Sequence, residues 1–458
     1  MRHLFSINKI LTKKRMRLLT EESVIFLSIF KWTFLAIIIG ILVGGMASFF
    51  LKALSFLTLS VETIPQYYYF LPFAISFCVL LVYYISPDSD GHGTEKVIQA
   101  VHKRSGLVRV RVIPIKLITT FLTLIFGGSV GKEGPCAQIG AGLSSLFSNV
   151  FRFNPQDRKK LVICGISSGF AAVFGTPIAG AVFGVEVLFV GGILYEVLMP
   201  SFIAGMVSYQ VASFLGIHYS FDFLPFTTDF NPLFFVKVVA AGVFFGIVSL
   251  FFVELLKFSE HMTGKIKLWP PLKGLIGGVL LIGIAQFISP DYLGLGHDLI
   301  ERSLTGGEVI WAAFIIKAIA TSITLSFGGS GGVLTPIFVI GACSGVFFSE
   351  FFGLDPVTFA AIGLVSVLAG AANTPISACI LAVELFGPEL ASFAAVSCVV
   401  SFLMTGHRSV FPSQVLATTK GASFQKQVGS QVDCIETQFQ YKTRRVMVSM
   451  LQAIKKTK

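Results

Sequence analysis

Glu133 is the residue most suited to do chemistry in this chain, because it ends a glycine-rich turn inside a strongly apolar region. The segment Gly127–Gly142 reads Gly-Gly-Ser-Val-Gly-Lys-Glu-Gly-Pro-Cys-Ala-Gln-Ile-Gly-Ala-Gly. Pro135 suits the first turn of a helix, where no backbone donor is needed. The unpaired N–H groups and the positive dipole end of such a helix bind anions. The segment therefore predicts an anion site with an ionisable carboxyl group beside it.

The composition indicates which kind of protein holds this site. Of 458 residues, 54% are hydrophobic and 13% are charged, against about 25% charged in soluble domains. The mean hydropathy is +0.81, and many long apolar stretches follow one another. We therefore predict an all-α, polytopic integral membrane protein. The seven cysteines have no metal-ligand spacing, so no metal site and no cofactor are predicted.

The net charge of +11 comes largely from the two ends of the chain. The basic residues there are Arg2, Lys9, Lys13, Lys14, Arg15 and Arg17 before the first span, and Lys442, Arg444, Arg445, Lys455, Lys456 and Lys458 after the last. The positive-inside rule explains these clusters better than binding of nucleic acid does. We expect a multi-pass protein of the cell membrane with both termini in the cytoplasm.

An internal repeat organises the chain. Lys116–Ala141 aligns without gaps on Lys317–Ala342, with 14 of 26 positions identical. A second pair, Thr176–Glu186 and Thr374–Glu384, follows in the same order. Duplicated membrane halves enclose a site at their interface, formed by broken helices. Glycines that serve only tight packing would explain neither Glu133 nor the repeated lysines.

The repeat divides the chain into four parts. We predict a basic cytoplasmic segment at 1–30, a first repeat half at 31–215 and a second at 216–411. Residues 412–458 form a short cytoplasmic tail, which is too short for a second folded domain of ordinary size.

Three motifs resemble the CLC family of chloride channels and proton-coupled chloride exchangers. Gly131–Pro135 matches the family signature Gly-Lys/Arg-Glu-Gly-Pro. Gly332–Pro336 matches Gly-x-Phe-x-Pro, with Leu in place of Phe. Gly91–Glu95 reads Gly-His-Gly-Thr-Glu, where the family has Gly-Ser-Gly-x-Pro. The resemblance covers roughly residues 30–415, with the motifs in family order.

The resemblance implies a homodimer with one chloride pore in each subunit, built from two inverted halves. Glu133 would be the gating glutamate, whose carboxylate competes with the anion and swings away when protonated. Lys132 would attract anions. The chloride ion would be the transported ligand, with protons as its counterpart in exchangers. The anion-binding positions that the resemblance implies are His92, Gly93, Lys132, Gly134, Val333, Leu334 and Phe411.

Three departures from the family pattern affect the mechanism that we expect. His92 stands where the family often has a serine, and a neutral imidazole can still donate one N–H to an anion. Phe411 stands near the family's pore tyrosine and lacks its hydroxyl. Val187 stands where exchangers carry a proton-relay glutamate. An aliphatic residue there favours a channel-like mode, with chloride/proton antiport as the alternative.

Two residue pairs recur in both halves, and the sequence leaves their roles open. Glu186 and Glu384 either stabilise helix ends or relay protons, and the first role is favoured. Lys116 and Lys317 either raise the potential along the anion path or pair with groups near a helix end.

Competing functions are weaker. Gly165–Gly169 fits the Gly-x-Ser-x-Gly pattern of serine hydrolases, but such a match is common in a glycine-rich chain, and no histidine lies at the centre of a span. The phosphate-loop pattern fails around Lys132. A cation-coupled solute transporter would use carboxylates and carbonyls rather than helix starts and a lysine. The tail is also too short for the nucleotide-binding domains of larger CLC members, so we predict no nucleotide regulation. Because the hydrolase and phosphate-loop patterns are weak or fail, we also predict that the protein is not an enzyme.

Overall fold

The computed structural model describes residues 2–219, 232–421 and 427–435, and the described chain is almost entirely helical. Its helices are α1 Arg2–Glu62, α2 Leu71–Ile85, α3 Gly93–Lys103, α4 Val112–Ile125, α5 Glu133–Val150, α6 Pro155–Phe174, α7 Pro177–Glu186, α8 Tyr195–Phe214, α9 Pro232–Lys265, α10 Pro270–Phe287, α11 His297–Thr305, α12 Ala313–Ser326, α13 Leu334–Phe352, α14 Pro356–Ala372, α15 Pro375–Phe386 and α16 Ala391–Met404. Short 3-10 turns lie at Tyr67–Phe70, Pro87–Ser89, Pro290–Tyr292, Pro388–Leu390 and Val432–Cys434.

Six helical segments of the described chain are long and apolar enough to cross a membrane. They are Thr20–Glu62, Tyr67–Ile85, Tyr195–Phe214, Pro232–Lys265, Pro270–Phe287 and Leu334–Phe352. Between them lie shorter apolar helices of the core, such as α7 and α15 with 10 and 12 residues. Short helices of this kind cannot span a bilayer alone, since a crossing takes about 20 residues. The protein is a multi-pass membrane protein.

The sixteen helices form two sets of eight in the same order, and equivalent helices share their sequence signals. Helices α6 and α14 both begin with proline after an N-cap residue. Asn154 and Asp355 accept bonds from the amides of Asp157 and Thr358, each at 2.8 Å. Such caps satisfy donors that the first turn leaves unpaired. The repeat seen in the sequence therefore relates helices α1–α8 to helices α9–α16.

The two sets run in opposite directions where they meet. Glu186, at the end of α7, accepts bonds from the amides of Ile376 and Ser377 at the start of α15, at 3.0 and 2.8 Å. Glu384, at the end of α15, accepts bonds from Ile178 and Ala179 at the start of α7, at 2.9 and 2.7 Å. Because the end of each helix meets the start of the other, α7 and α15 are antiparallel. This reciprocal capping is a structural role at helix ends for both glutamates.

Both predicted outer segments continue into described structure. Helix α1 runs from Arg2 to Glu62, so residues 2–30 are continuous with the first long apolar helix. The tail starts inside the folded body: β2 Val415–Leu416 pairs in parallel with β1 Phe189–Val190, and Gln414 is fully buried. Residues 436–458, which include the C-terminal basic cluster, lie outside the described residues.

Candidate functional site

The glycine-rich turns of the two repeats cross at the centre of the protein. The amide of Gly131 donates to the carbonyl of Gly332 at 2.7 Å, and the amide of Gly332 donates to the carbonyl of Gly131 at 2.6 Å. Before each turn, a glycine has a positive φ, 95° at Gly127 and 96° at Gly328. Residues other than glycine rarely adopt this backbone conformation. The two turns therefore bring the starts of α5 and α13 together.

Threonines of the preceding helices hold this crossing in place. Thr123 on α4 accepts a bond from the amide of Ser330 at 3.0 Å, and Thr324 on α12 accepts one from the amide of Ser129 at 3.1 Å. Each repeat thus supports the turn of the other. A methyl group added at Gly332 would lie 2.7 Å from the amide nitrogen of Gly134, so only glycine allows this approach.

Glu133 lies buried between the two helix starts, with 1% of its surface exposed. Its carboxylate accepts a hydrogen bond from the hydroxyl of Thr335 and a second from the Thr335 amide at 3.3 Å. Thr335 is the second residue of α13, where the amides and the dipole favour a negative charge. The carboxylate of the first repeat therefore lies at the helix start of the second repeat.

Sequence reasoning missed Thr335 as a partner of Glu133. A signal for it was present, because Thr335 occupies the position equivalent to Gly134 at the 201-residue offset of the repeat. A hydroxyl at one helix start, where the equivalent helix start has a glycine, indicates a role that only this copy of the repeat has. Val333 and Leu334, the two residues before it, are each 1% exposed and lie at the start of α13 as predicted.

Lys132 faces a cavity of about 1080 Å³ on one side of Glu133. Thr335 and His297 also line this cavity, and so does Lys52 farther along α1. Two lysines and one carboxylate, that of Glu301, line the cavity, so its wall carries a net positive charge that raises the local concentration of anions. This geometry fits the predicted role of Lys132 in attracting anions toward Glu133.

His92, Gly93 and Phe411 come together on another side of the crossing turns. His92 forms a backbone bridge with Gly331, and its ring centroid lies 5.8 Å from that of Phe411. The backbone of Gly93 packs so closely on the carbonyl of Gly134 that no side chain would fit there. His92 is 7% exposed, and its Nδ1 has no hydrogen-bond partner within the described chain. An unpartnered buried ring nitrogen is unusual and suits a ligand or a transferred proton.

Lys116 holds the loop that presents His92. Its ammonium group donates to the carbonyl of Gly91 at 2.6 Å and to that of Ser89 at 3.3 Å. Lys317 makes the same contacts in the second repeat, to the carbonyls of Gly294 at 2.8 Å and Tyr292 at 3.1 Å. Both lysines are fully buried. Of the two predicted roles, pairing with nearby groups is the one that their hydrogen bonds support.

Val187 is fully buried at the end of α7. Its carbonyl accepts a hydrogen bond from the side chain of Gln414 at 2.8 Å, so it packs against the segment that follows Phe411. The neighbouring Glu186 uses both carboxylate oxygens to cap α15. Position 187 therefore has no carboxylate, although the exchangers of the family carry their proton-relay glutamate there.

The serine hydrolase pattern has no catalytic geometry. Gly165–Gly169 lies inside α6 rather than at the strand-to-helix turn that such a nucleophile needs. Ser167 donates to the carbonyl of Ala181 at 3.3 Å. In the part of the chain that the structure describes, no group of metal-ligating side chains forms a metal site.

Comparison with known proteins identifies the family. The family model described as voltage gated chloride channel matches residues 73–406. The chloride/fluoride channel protein of Pseudomonas syringae pv. tomato is 35% identical over 397 residues, covering 85% of this chain and 87% of that protein. The H+/Cl− exchange transporter ClcA of Salmonella schwarzengrund is 26% identical over 392 residues, covering 77% of this chain and 80% of that protein.

A solved structure agrees with the fold as well. The crystal structure of a CLC-type fluoride/proton antiporter matches with a TM-score of 0.80 and 29% sequence identity, covering 84% of this chain and 98% of that chain. The predicted all-α membrane fold and the predicted resemblance are confirmed. The chain belongs to the CLC family of voltage gated chloride channels, whose function is anion transport across a membrane.

Proposed function

We propose that this protein exchanges a halide ion, chloride or fluoride, for protons, and that Glu133 gates the pore. The observation that carries this proposal is the position of the Glu133 carboxylate, which is bonded to Thr335 between the starts of α5 and α13. A carboxylate and a halide compete for the same amides and the same dipole. One site therefore holds either the carboxylate or the anion.

Protonation of Glu133 would release the site to an anion. A neutral carboxyl group has lost the charge that the start of α13 stabilises, so it is free to turn toward the cavity at Lys132. The incoming anion takes its place among the amides of the helix starts. When the proton leaves on the other side, the carboxylate returns and expels the anion. This cycle links anion movement to proton movement.

The relatives support exchange over the channel-like mode that Val187 favours in the sequence. The transporter of Salmonella schwarzengrund is named an H+/Cl− exchanger and the matching solved structure a fluoride/proton antiporter. The Pseudomonas syringae relative carries the name of a channel. We therefore place exchange first and a channel-like mode second.

Chloride is the anion that the sequence motifs favour, and fluoride is a second candidate. Fluoride appears in the names of both the Pseudomonas syringae relative and the matching antiporter structure. In this chain, Phe411 has no hydroxyl and His92 replaces a serine, so the donors at the central site differ from the usual chloride set. Backbone amides alone discriminate halides weakly, and the side-chain donors decide.

The experiment that tests this proposal records halide efflux and external pH together from liposomes that hold the purified protein. We expect proton movement opposite to chloride or fluoride movement, at a fixed ratio and against the proton gradient. Halide flux without protons would leave a channel, and no halide flux would contradict the proposal. Flux that disappears on removal of sodium would favour a cation-coupled transporter instead.

We also propose a homodimer in the cell membrane, with both termini in the cytoplasm and no bound cofactor. The dimer is implied by the family resemblance, and the orientation by the basic residues at both ends. Cross-linking of the reconstituted protein should give a dimer. Labelling of single cysteines introduced near residue 2 and near residue 458 should occur only from the cytoplasmic side.

A further inference from the structure

Proton exchange needs a path between the protein surface and Glu133, and position 187 supplies no acid group for it. Val187 is aliphatic and fully buried. Glu186 binds two amides with its two carboxylate oxygens, so it is fixed as a helix cap. Glu384 is occupied in the same way in the second repeat. The proton path therefore avoids position 187 and these two capping glutamates.

We propose that Glu95 is the acid group of this path, and that it passes protons between the protein surface and the buried site through His92. The inference rests on the proposed exchange of halide for protons. Glu95 lies in the first turn of α3, three residues after His92. Its amide donates to the carbonyl of His92 at 3.2 Å. Glu95 and His92 are therefore one helical turn apart along the chain.

Glu95 also contacts the segment that closes the site. Its Oε2 accepts a hydrogen bond from the amide of Ser413 at 3.2 Å. Ser413 follows Phe411, whose ring packs on His92. Glu95 is only partly buried, whereas Glu133 is 1% exposed. A partly buried carboxyl group that touches both segments around His92 is placed to exchange protons with water and with the site.

The charges around Glu95 favour the collection of protons. Lys96 on the same helix and Asp433 in the Val432–Cys434 turn both act on Glu95 electrostatically. Glu260 on α9 interacts with Glu95, Asp90 and Asp433, and with Lys257 on its own helix. Four carboxylates and two lysines are thus linked electrostatically in one cluster. None of the four carboxylates lines the cavity at Lys132, so this cluster is separate from that cavity.

His92 provides the second step of the path. Its Nδ1 is buried and has no hydrogen-bond partner within the described residues, so it is free to accept a proton. One proton moves from water to the Glu95 carboxylate, then through a water to Nδ1 of His92, and then toward the Glu133 carboxylate. Each transfer leaves the donor one charge unit more negative and the acceptor one unit more positive. No bond between heavy atoms forms or breaks.

The test compares Glu95→Gln with a matched variant in the second repeat. Asp298 is the equivalent residue, in the first turn of α11, and it is exposed. Halide and proton fluxes are recorded together from liposomes for the unchanged protein, Glu95→Gln, Glu95→Asp and Asp298→Asn. We expect Glu95→Gln to lower proton flux ~100-fold and to keep halide flux. Glu95→Asp should restore most of the coupling, and Asp298→Asn should leave the coupling ratio unchanged.

The outcomes separate this inference from the proposed function. If the unchanged protein moves halide without protons, the proposed exchange fails and the inference fails with it. If the unchanged protein exchanges protons and Glu95→Gln keeps the same coupling ratio, only the role of Glu95 is wrong. A Glu95→Gln variant that loses halide and proton flux in equal proportion, and that Glu95→Asp does not rescue, would show a structural residue instead.

Discussion

The two repeats use the same scaffold, but the ionisable residues at the crossing turns, His92, Lys132 and Glu133, lie in the first repeat. The scaffold groups recur at equivalent places and make equivalent hydrogen bonds. They are Lys116 and Lys317, Thr123 and Thr324, Glu186 and Glu384, and the N-cap residues Asn154 and Asp355. Residues that the duplication preserves in both halves hold backbone segments in place.

The chemistry lies where the repeats differ. At the crossing turns, Lys132 and Glu133 of the first repeat correspond to Val333 and Leu334 of the second. Thr335 of the second repeat replaces a glycine of the first and binds the Glu133 carboxylate. One helix start thus supplies the carboxylate and the other binds it. In a duplicated transporter, therefore, the residues that differ between the two repeats are the ones to test for function.

Replacing Glu133 should break the comparison most strongly. Glu133→Gln removes the charge that alternates with the anion, so proton flux should fall ~100-fold and halide flux should become independent of external pH. The measurement is paired recording of halide and proton fluxes in liposomes. Glu384→Gln is the control, because it alters a scaffold carboxylate and should keep the coupling ratio. Unchanged pH dependence in Glu133→Gln would argue against Glu133 as the gate.

Removing the two buried lysines should sharpen the distinction between scaffold and site. Lys116→Met and Lys317→Met each leave buried carbonyls unsatisfied, at a cost of about 1–3 kcal/mol in stability. Thermal unfolding in detergent should show a similar loss for both. Only Lys116→Met should weaken halide binding, because its loop presents His92 whereas the loop of Lys317 carries Leu295. Equal loss of halide affinity in both variants would contradict this asymmetry.

The Thr335 hydroxyl should have a smaller effect, confined to the balance between carboxylate and anion. Thr335→Val removes a hydrogen bond to a charged group, worth about 1.5 kcal/mol, so halide affinity should rise roughly tenfold. Thr335→Ser keeps the hydroxyl and is the matched control. Calorimetric titration with chloride and fluoride measures both variants. A Thr335→Val protein with unchanged affinity would mean that the hydroxyl does not hold the gate.

The smallest effect is expected at Lys132. Lys132→Gln removes a positive charge from the cavity wall, which should reduce the rate of halide uptake about threefold at low ionic strength and less at high salt. Lys103→Gln is the control, since Lys103 is exposed and does not line this cavity. Uptake rates in liposomes at two salt concentrations give the comparison. Equal rates for Lys132→Gln and the unchanged protein would leave Lys132 as a surface residue.

Much of this molecule was predictable because the duplication is visible in the sequence. The glycine turns, the prolines at helix starts and Glu133 follow one another in fixed order, and they predict two helix starts that share an anion site. The contact between Glu133 and Thr335 was not predictable, because it depends on how the two turns cross. The two partners are 202 positions apart, and the intervening chain carries no local signal of that crossing.

The contacts of Gln414 and Glu95 also could not be predicted from the local sequence. A polar segment after the last apolar run predicts a separate tail, yet Gln414 is buried because it binds the carbonyls of Val187 and Ala372. Glu95 stands in a polar stretch that the resemblance assigns to anion binding through its neighbours. Its contact with Ser413 joins residues 318 positions apart. Long-range contacts of this kind follow from tertiary packing and not from local sequence.

Halide affinity as a function of pH tests the central claim most directly. The affinity of the unchanged protein and of Glu133→Ala would be measured by calorimetry over a series of pH values. If the Glu133 carboxylate occupies the anion position, affinity rises as the pH falls in the unchanged protein and is constant in Glu133→Ala. An affinity that changes with pH to the same extent in both proteins would contradict the account.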